Sequence, residues 1–281
     1  MKKILLPTDF SNNAWNAIVY ALEFFKDEEC LFYLLNTYTP VIYRVDYMIG
    51  GPAVSAIPDV GIDVSLAGLE RTLEKIKKEY PNAKHQFETV SEFNTLTDEV
   101  NARSKKEGME LVIMGTKGAS GVKEIFLGSN TIQVIRKAEI PVLAIPEDYK
   151  FQKLNSVVLP TDYEVPYRAK DFKILVDIVK KYGATLHIVH AVEQTLSTVQ
   201  LGHKSQLKAM LKNLPTEFQD VTDEYMPNIV HSYVDENHMD MVVMLNQKHT
   251  FLERLLFRQN VDSVGYHCTV PFLVLPDIAE T

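Results

Sequence analysis

The sequence predicts an α/β protein made of two tandem, doubly wound modules. Three observations carry that prediction. Short apolar runs alternate with helical patterns, the same blocks occur twice in the same order, and the length of 281 residues is near that of two domains. Residues 5–10 read Leu-Leu-Pro-Thr-Asp-Phe and return at 158–163 as Val-Leu-Pro-Thr-Asp-Tyr, an offset of 153. Residues 32–36 match 186–190 at offset 154, and Met109–Met114 matches Met239–Met244 at offset 130. That last offset holds through Pro141–Pro146 and Pro271–Pro276. Self-similarity of this kind marks a duplicated unit. The join falls near residues 147–154, which divides the chain into 1–149 and 150–281.

In the first unit, Lys3–Pro7 reads as a strand. Ser11–Phe25 follows as a helix, with Ala14, Ala17, Ile18, Ala21, Leu22 and Phe25 at one-face spacing and Ser11 or Asn12 as N-cap. Leu31–Thr37 is the next strand, and Leu66–Glu79 the next helix. A weaker strand over Gln86–Val90 precedes a helix from Thr95 to Lys106. Leu111–Met114 is apolar on both sides, as a central parallel strand is. A helix over Ser129–Lys137 and a strand over Val142–Ile145 complete the unit. The fall in offset from 154 to 130 places about 24 extra residues in the first unit, between Tyr38 and Asp63.

Composition narrows the function classes. Apolar residues make up 46% and charged residues 23%, the profile of a globular chain. No apolar run reaches the length of a membrane span, and Pro7 and Asp9 cut the amino-terminal apolar stretch too short for a signal peptide. A net charge of -8 disfavours nucleic acid and anionic membranes as partners. Cys30 and Cys268 are isolated in sequence, which argues against a disulfide framework and for the reducing cytoplasm; both read as small buried hydrophobes.

Nine of the twelve glycines lie in residues 1–150, and four fall in the segment Gly115–Asn130. This segment leaves a buried strand and enters a helix, the edge at which open α/β sheets bind ligands. Gly115 and Gly118 permit positive φ and close backbone approach. Gly128-Ser129-Asn130 opens a helix whose unpaired amides favour a phosphate. Tight-turn geometry is the alternative reading. Neither the Walker nor the dinucleotide glycine pattern is present.

The spacing Gly115-x2-Gly118-x9-Gly128-Ser129 resembles the signature of the nucleotide-binding branch of the universal stress protein family. The flanking Leu111–Thr116 and Ile140–Leu143, and the opening Ile4–Ser11, are similar to that family too. The resemblance covers the whole chain as two tandem modules. It implies an adenine nucleotide alpha hydrolase-like fold, with a five-stranded parallel sheet flanked by helices in each module. The two modules would pack as an intrachain pseudo-dimer, the last strands near a pseudo-twofold. It also implies ATP or a related adenine nucleotide in the first module, with or without Mg2+. Pro7, Thr8 and Asp9 would surround adenine and ribose, and Thr37 would sit beside the base. Met114 and Gly115 would continue that wall, while Gly118, Gly128, Ser129 and Asn130 would hold phosphates. Lys117, where relatives carry His or Arg, would reach a phosphate or stand in solvent. Asp9 has a second reading as a cap for the helix after Ser11.

The second unit keeps Pro160-Thr161-Asp162 but replaces the loop glycines by Leu245, Lys248 and Arg258, and Ser129 by Gln259. Only Asn260 matches its counterpart, Asn130. Side chains there would occupy the room a phosphate needs. His187 and His190, three apart on a strand, point to opposite faces and cannot share a metal; no metal site is expected. Met239, Met241 and Met244 read as core. The leading expectation is a cytoplasmic nucleotide-binding regulator with an unidentified protein partner, monomeric or further dimerised. A slow ATPase is the second, with Asp9 and Glu124 the carboxylates near the loop. An interaction scaffold is the third.

Overall fold

In the computed structural model, the described residues are 1–38, 60–116, 127–192, 195–222, 226–246 and 269–276. Strand β1, Lys2–Pro7, carries Ile4, Leu5 and Leu6, all fully buried, and it lies between two parallel neighbours. A strand covered on both faces must be apolar at every central position, which is how this run reads. The Ser11 hydroxyl accepts a hydrogen bond from Ala14 N (3.1 Å) and starts helix α1, Asn12–Phe24. Strand β2, Cys30–Tyr38, follows, then helix α2, Val60–Glu79, which packs on it with Leu69 and Ile76. Strand β3 is His85–Phe93, longer at both ends than the sequence suggests, because its polar residues pair along all of β2.

Helix α3, Leu96–Arg103, is capped by Thr95 and ends in one π-turn, Ser104–Gly108, closed by Gly108 at φ 68°. Strand β4 is Leu111–Gly115, helix α4 Ser129–Lys137 and strand β5 Val142–Ile145. The second module repeats this plan. Strand β6 is Ser156–Pro160, helix α5 Lys173–Tyr182, strand β7 Thr185–Val192 and helix α6 Thr198–Leu211. Strand β8 is Thr216–Thr222, helix α7 Met226–Glu236, strand β9 Met241–Asn246 and strand β10 Phe272–Pro276. The extra length of the first module falls where expected. Residues 39–59 separate β2 from α2, against 193–197 between β7 and α6, and α2 has 20 residues against 14 in α6.

The ten strands among the described residues form one sheet in the order β3-β2-β1-β4-β5-β10-β9-β6-β7-β8. Every neighbouring pair is parallel except β5 and β10, which run antiparallel. The expected fold class is therefore observed: two five-stranded doubly wound modules joined through their last strands. Side chains alternate along β5 and β10, so each strand feeds two cores. Leu143, Ile145, Leu273 and Leu275 join the core under α1 and α5, while Val142, Ala144, Phe272 and Val274 join that on the other face.

Helix α1 buries a wider arc than its sheet-facing residues require. Tyr20 packs edge-on to Phe151 (ring centroids 5.4 Å apart), and Phe24 meets both Phe151 and Tyr182. Aromatic pairs contribute about 0.5–1.5 kcal/mol each beyond buried area, so this cluster is a substantial part of the contact between modules. Tyr182 donates its hydroxyl hydrogen to Phe24 O (2.6 Å), and Asn16 donates to the Pro146 and Tyr149 carbonyls in the connecting segment. Met239, Met241 and Met244 are buried, as the sequence suggests.

Candidate functional site

The first module has strand order 3-2-1-4-5, so the direction of winding changes between β1 and β4. Crevices outside the carboxyl ends of strands form at such a switch point. A cavity of about 330 Å3 lies there, bounded by the ends of β1, β2 and β4 and the start of α4. Pro7, Thr8, Asp9, Thr37, Met114, Gly115, Gly128, Ser129 and Asn130 all line it. These are nine of the eleven residues named from the sequence. The other two, Lys117 and Gly118, lie outside the described residues, as does Glu124.

Local bonding explains how the wall is held. Thr8 N donates to Leu35 O (2.8 Å), continuing the β1–β2 ladder by one bond. The Thr8 hydroxyl accepts from Phe10 N (3.0 Å), and Asp9 Oδ1 accepts from Ser11 N (3.1 Å). Asp9 therefore closes a turn onto Ser11, and Ser11 itself caps the helix. Phe10 sits at φ 65°, a region that costs a non-glycine residue roughly 1 kcal/mol or more. The same turn recurs in the second module: Tyr163 has φ 57°, Tyr163 N donates to Thr161 Oγ1 and Glu164 N to Asp162 Oδ1, each at 3.1 Å. A strained turn built twice from Pro-Thr-Asp-aromatic is a property of the module, independent of the glycine loop.

Gly115 has a specific steric reason. A Cβ at this position would stand 1.8 Å from Asn13 Oδ1, because the first turn of α1 lies against the end of β4. At the matching place the second module has Leu245, and there the helix after the turn begins only at Lys173. A leucine side chain and an early helical turn cannot share that volume. In the second module Tyr163 and Tyr167 are buried, with the Tyr167 and Thr161 hydroxyls in contact; burial pushes the Tyr167 phenol well above its ordinary range. Lys248, Arg258, Gln259 and Asn260 lie outside the described residues.

Five further residues line the cavity: Ala14, Leu35, Asn36, Leu96 and Thr131. Asn36 donates its side-chain amide to Thr8 O (2.7 Å), and its counterpart His190 bonds Thr161 O through Nδ1 (2.9 Å). A polar residue closing the apolar run of β2 was the available signal. Thr131, buried in the first turn of α4, donates its hydroxyl to Gly115 O (2.9 Å) and ties that helix to β4. The amides of Ser129, Asn130 and Thr131 have no intrahelical acceptor by geometry, so the cavity ends at a donor-rich helix start.

The other sequence features resolve simply. His187 and His190 fall on opposite faces, the first beside Tyr233 and Glu217, the second against Tyr163. Cys30 is fully buried, and burial pushes its thiol up to about 11; Cys268 lies outside the described residues. Among the described residues, no helix is long and apolar enough to cross a membrane, and no group of three His, Cys, Asp or Glu is placed to hold a metal ion.

Comparison with known proteins agrees with the fold. The sequence profile described as the universal stress protein family matches residues 1–146 and again 154–276. A universal stress protein of Methanocaldococcus jannaschii, MJ0577, is 28% identical over 165 residues, covering 51% of this chain and 94% of that protein. Universal stress protein YxiE of Bacillus subtilis is 26% identical over 145 residues, 51% of this chain and 97% of its own. Each of these relatives therefore spans about half of the chain. A solved universal stress protein from Archaeoglobus fulgidus has the fold of the whole, with a TM-score of 0.66 at 20% identity, covering 98% of this chain and 96% of that one. With a duplicated sequence, a matching double profile and one sheet shared by two like modules, the chain belongs to the universal stress protein family.

Proposed function

We propose that the chain is a cytoplasmic regulatory protein of the stress response that binds one adenine nucleotide, ATP, in the module formed by residues 1–149. Pro7, Thr8, Asp9 and Thr37 flank base and ribose, with Met114 and Gly115 as the adjoining wall. Gly128, Ser129 and Asn130 hold the phosphates, joined by Lys117 and Gly118. The observation that carries this reading is the convergence of nine of those residues on one cavity at the winding switch, ending at the start of α4. Its volume of about 330 Å3 is in the range of small-molecule sites. Backbone amides at a helix start suit a phosphate even in a chain of net charge -8. Magnesium, where present, enters on the phosphate oxygens.

The module formed by residues 150–281 serves as a structural or partner-binding half without a nucleotide. Tyr167 over Thr161 and Leu245 at the strand end support that assignment. Hydrolysis is not part of the proposal, since Asp9 is engaged in capping the turn at the base end of the cavity. Denaturing the purified protein and identifying the released small molecule by mass spectrometry tests the reading. The expected result is an adenine nucleotide at close to one per chain, absent from a Gly128→Val variant with an unchanged circular dichroism spectrum. No nucleotide, together with no calorimetric binding of ATP, would overturn it. Two per chain would overturn the assignment of the second module.

A further inference from the structure

A second recess, of about 190 Å3, lies between α1 and α2 and shares Thr8 with the cavity described above. Arg71 and Lys75 line it from α2, Trp15 and Ser11 from α1 and its cap. The two cations are four residues apart, one helical turn, and so come to the same face. Lys75 Nζ stands 3.8 Å from the centre of the Trp15 ring. Among the described residues neither cation has a carboxylate within ion-pair distance. Elsewhere Lys2 pairs with Glu28, Arg103 with Glu92 and Glu99, Lys105 with Glu139, Arg168 with Asp171 and Lys204 with Asp220. Carboxylates are not scarce, with 37 acidic residues against 29 basic. Two like charges one turn apart repel each other, and among the described residues no carboxylate pairs with either to offset that.

The hydroxyls around the recess point to the same chemistry. Thr8 Oγ1 accepts from Phe10 N and Ser11 Oγ from Ala14 N, so each uses a lone pair inward and keeps its own hydrogen to donate. The second module treats the matching space differently. Helix α6 meets its turn directly: Gln200 donates to Asp162 O (3.0 Å), His203 Nδ1 bonds Tyr163 O (2.8 Å), and Tyr167 N donates to Gln206 Oε1 (3.3 Å). In that copy side chains bond directly across the junction, and the cation beside it, Lys204 over the Tyr163 ring, is paired with Asp220. The other copy is left open and lined with cations and donors.

We propose that this recess binds a small free oxyanion of the phosphate class, at a site separate from the nucleotide cavity. Charge-assisted bonds from a guanidinium, an ammonium and two hydroxyls fit a tetrahedral anion rather than a neutral or cationic ligand. At about 190 Å3 the recess is below the usual size of a site for a nucleotide-sized molecule.

The chain has a single tryptophan, Trp15, and it lies in the recess, so it reports directly on occupancy. Nucleotide-free full-length protein is titrated with inorganic phosphate at constant ionic strength, followed by tryptophan fluorescence and by calorimetry. A saturable response is expected, weakened about tenfold or more in both Arg71→Met and Lys75→Met. Both residues are exposed, so these variants keep the fold. The Gly128→Val variant should respond as the wild type does, whether or not it binds nucleotide. Three results would each overturn the proposal. These are no response beyond that to potassium chloride, a response that survives both substitutions, or one that is lost in Gly128→Val and displaced by ATP.

Discussion

Leu143 lies directly opposite Leu273 in the antiparallel pair of β5 and β10, and the two are the same residue of the repeat, 130 positions apart. Their neighbours exchange partners symmetrically, Val142 with Val274 and Ala144 with Phe272. The internal twofold axis therefore passes through this leucine pair. Each module would otherwise present an open strand edge, a template for aggregation. The duplication lets each copy cover that edge of the other.

Replacing either leucine by alanine should cost about 2–5 kcal/mol in urea unfolding, because both side chains are completely buried. The double variant should lose less than the sum, since the two cavities merge into one. A loss below about 1 kcal/mol for either single variant would mean that the seam relaxes around the void.

Gly115→Ala should destabilise the chain through the collision with Asn13 and not through backbone torsion. Asn13→Ala in the same chain should restore most of the loss, leaving only the milder approach to the Asn13 carbonyl at 3.1 Å. Unfolding midpoints of the two single variants and the double decide this. A double variant no more stable than Gly115→Ala would remove the steric account.

Glu28 of the first module is held by Lys181 of the second and by Lys2 at 2.9 Å. Burial raises its carboxyl pKa, but the two lysines outweigh this and leave it below the ordinary carboxylate range. A depressed carboxylate stabilises the fold above its unfolded pKa, roughly 4.3, and that contribution is lost as pH falls through the folded value. Wild-type stability should thus drop below about pH 4–5 more steeply than that of Glu28→Gln. Parallel pH profiles of the two would contradict the assignment.

Cys30 should be inert in the folded state. Burial, with Glu28 nearby, pushes its thiol up to about 11, so little thiolate forms at neutral pH. In a Cys268→Ser background, a thiol reagent at pH 8 should label the native protein only on the timescale of unfolding, and label it at once in denaturant. Rapid native labelling would show an open path to the site.

Much of this was legible in the chain itself. The strands and the start of α1 at Ser11 follow from periodicity and caps, and Gly115, Gly128, Ser129 and Asn130 from the glycine spacing. Pro7, Thr8, Asp9, Thr37 and Met114, by contrast, are implied by the family resemblance. Asp9 had two open readings, cavity wall and helix cap; its bond to Ser11 N closes the turn before the helix, while the cap is Ser11 itself. Asn36 and Thr131 were passed over because each acts through a partner remote in sequence, Thr8 O and Gly115 O. The wide buried arc of α1 was missed for the same reason: Tyr20 and Phe24 face Phe151, beyond the module's own sheet.

By itself the sequence determined the duplication, the α/β alternation, the site of the extra segment and the unequal distribution of glycine. These are properties of residues near one another along the chain, where side-chain period and turn chemistry act. Only the tertiary structure decided that β5 and β10 meet in antiparallel register, that Gly115 makes room for Asn13, and that Arg71 and Lys75 face one recess with no carboxylate among its described lining residues. Each of those depends on close packing between segments far apart in sequence, and packing has no periodicity to read.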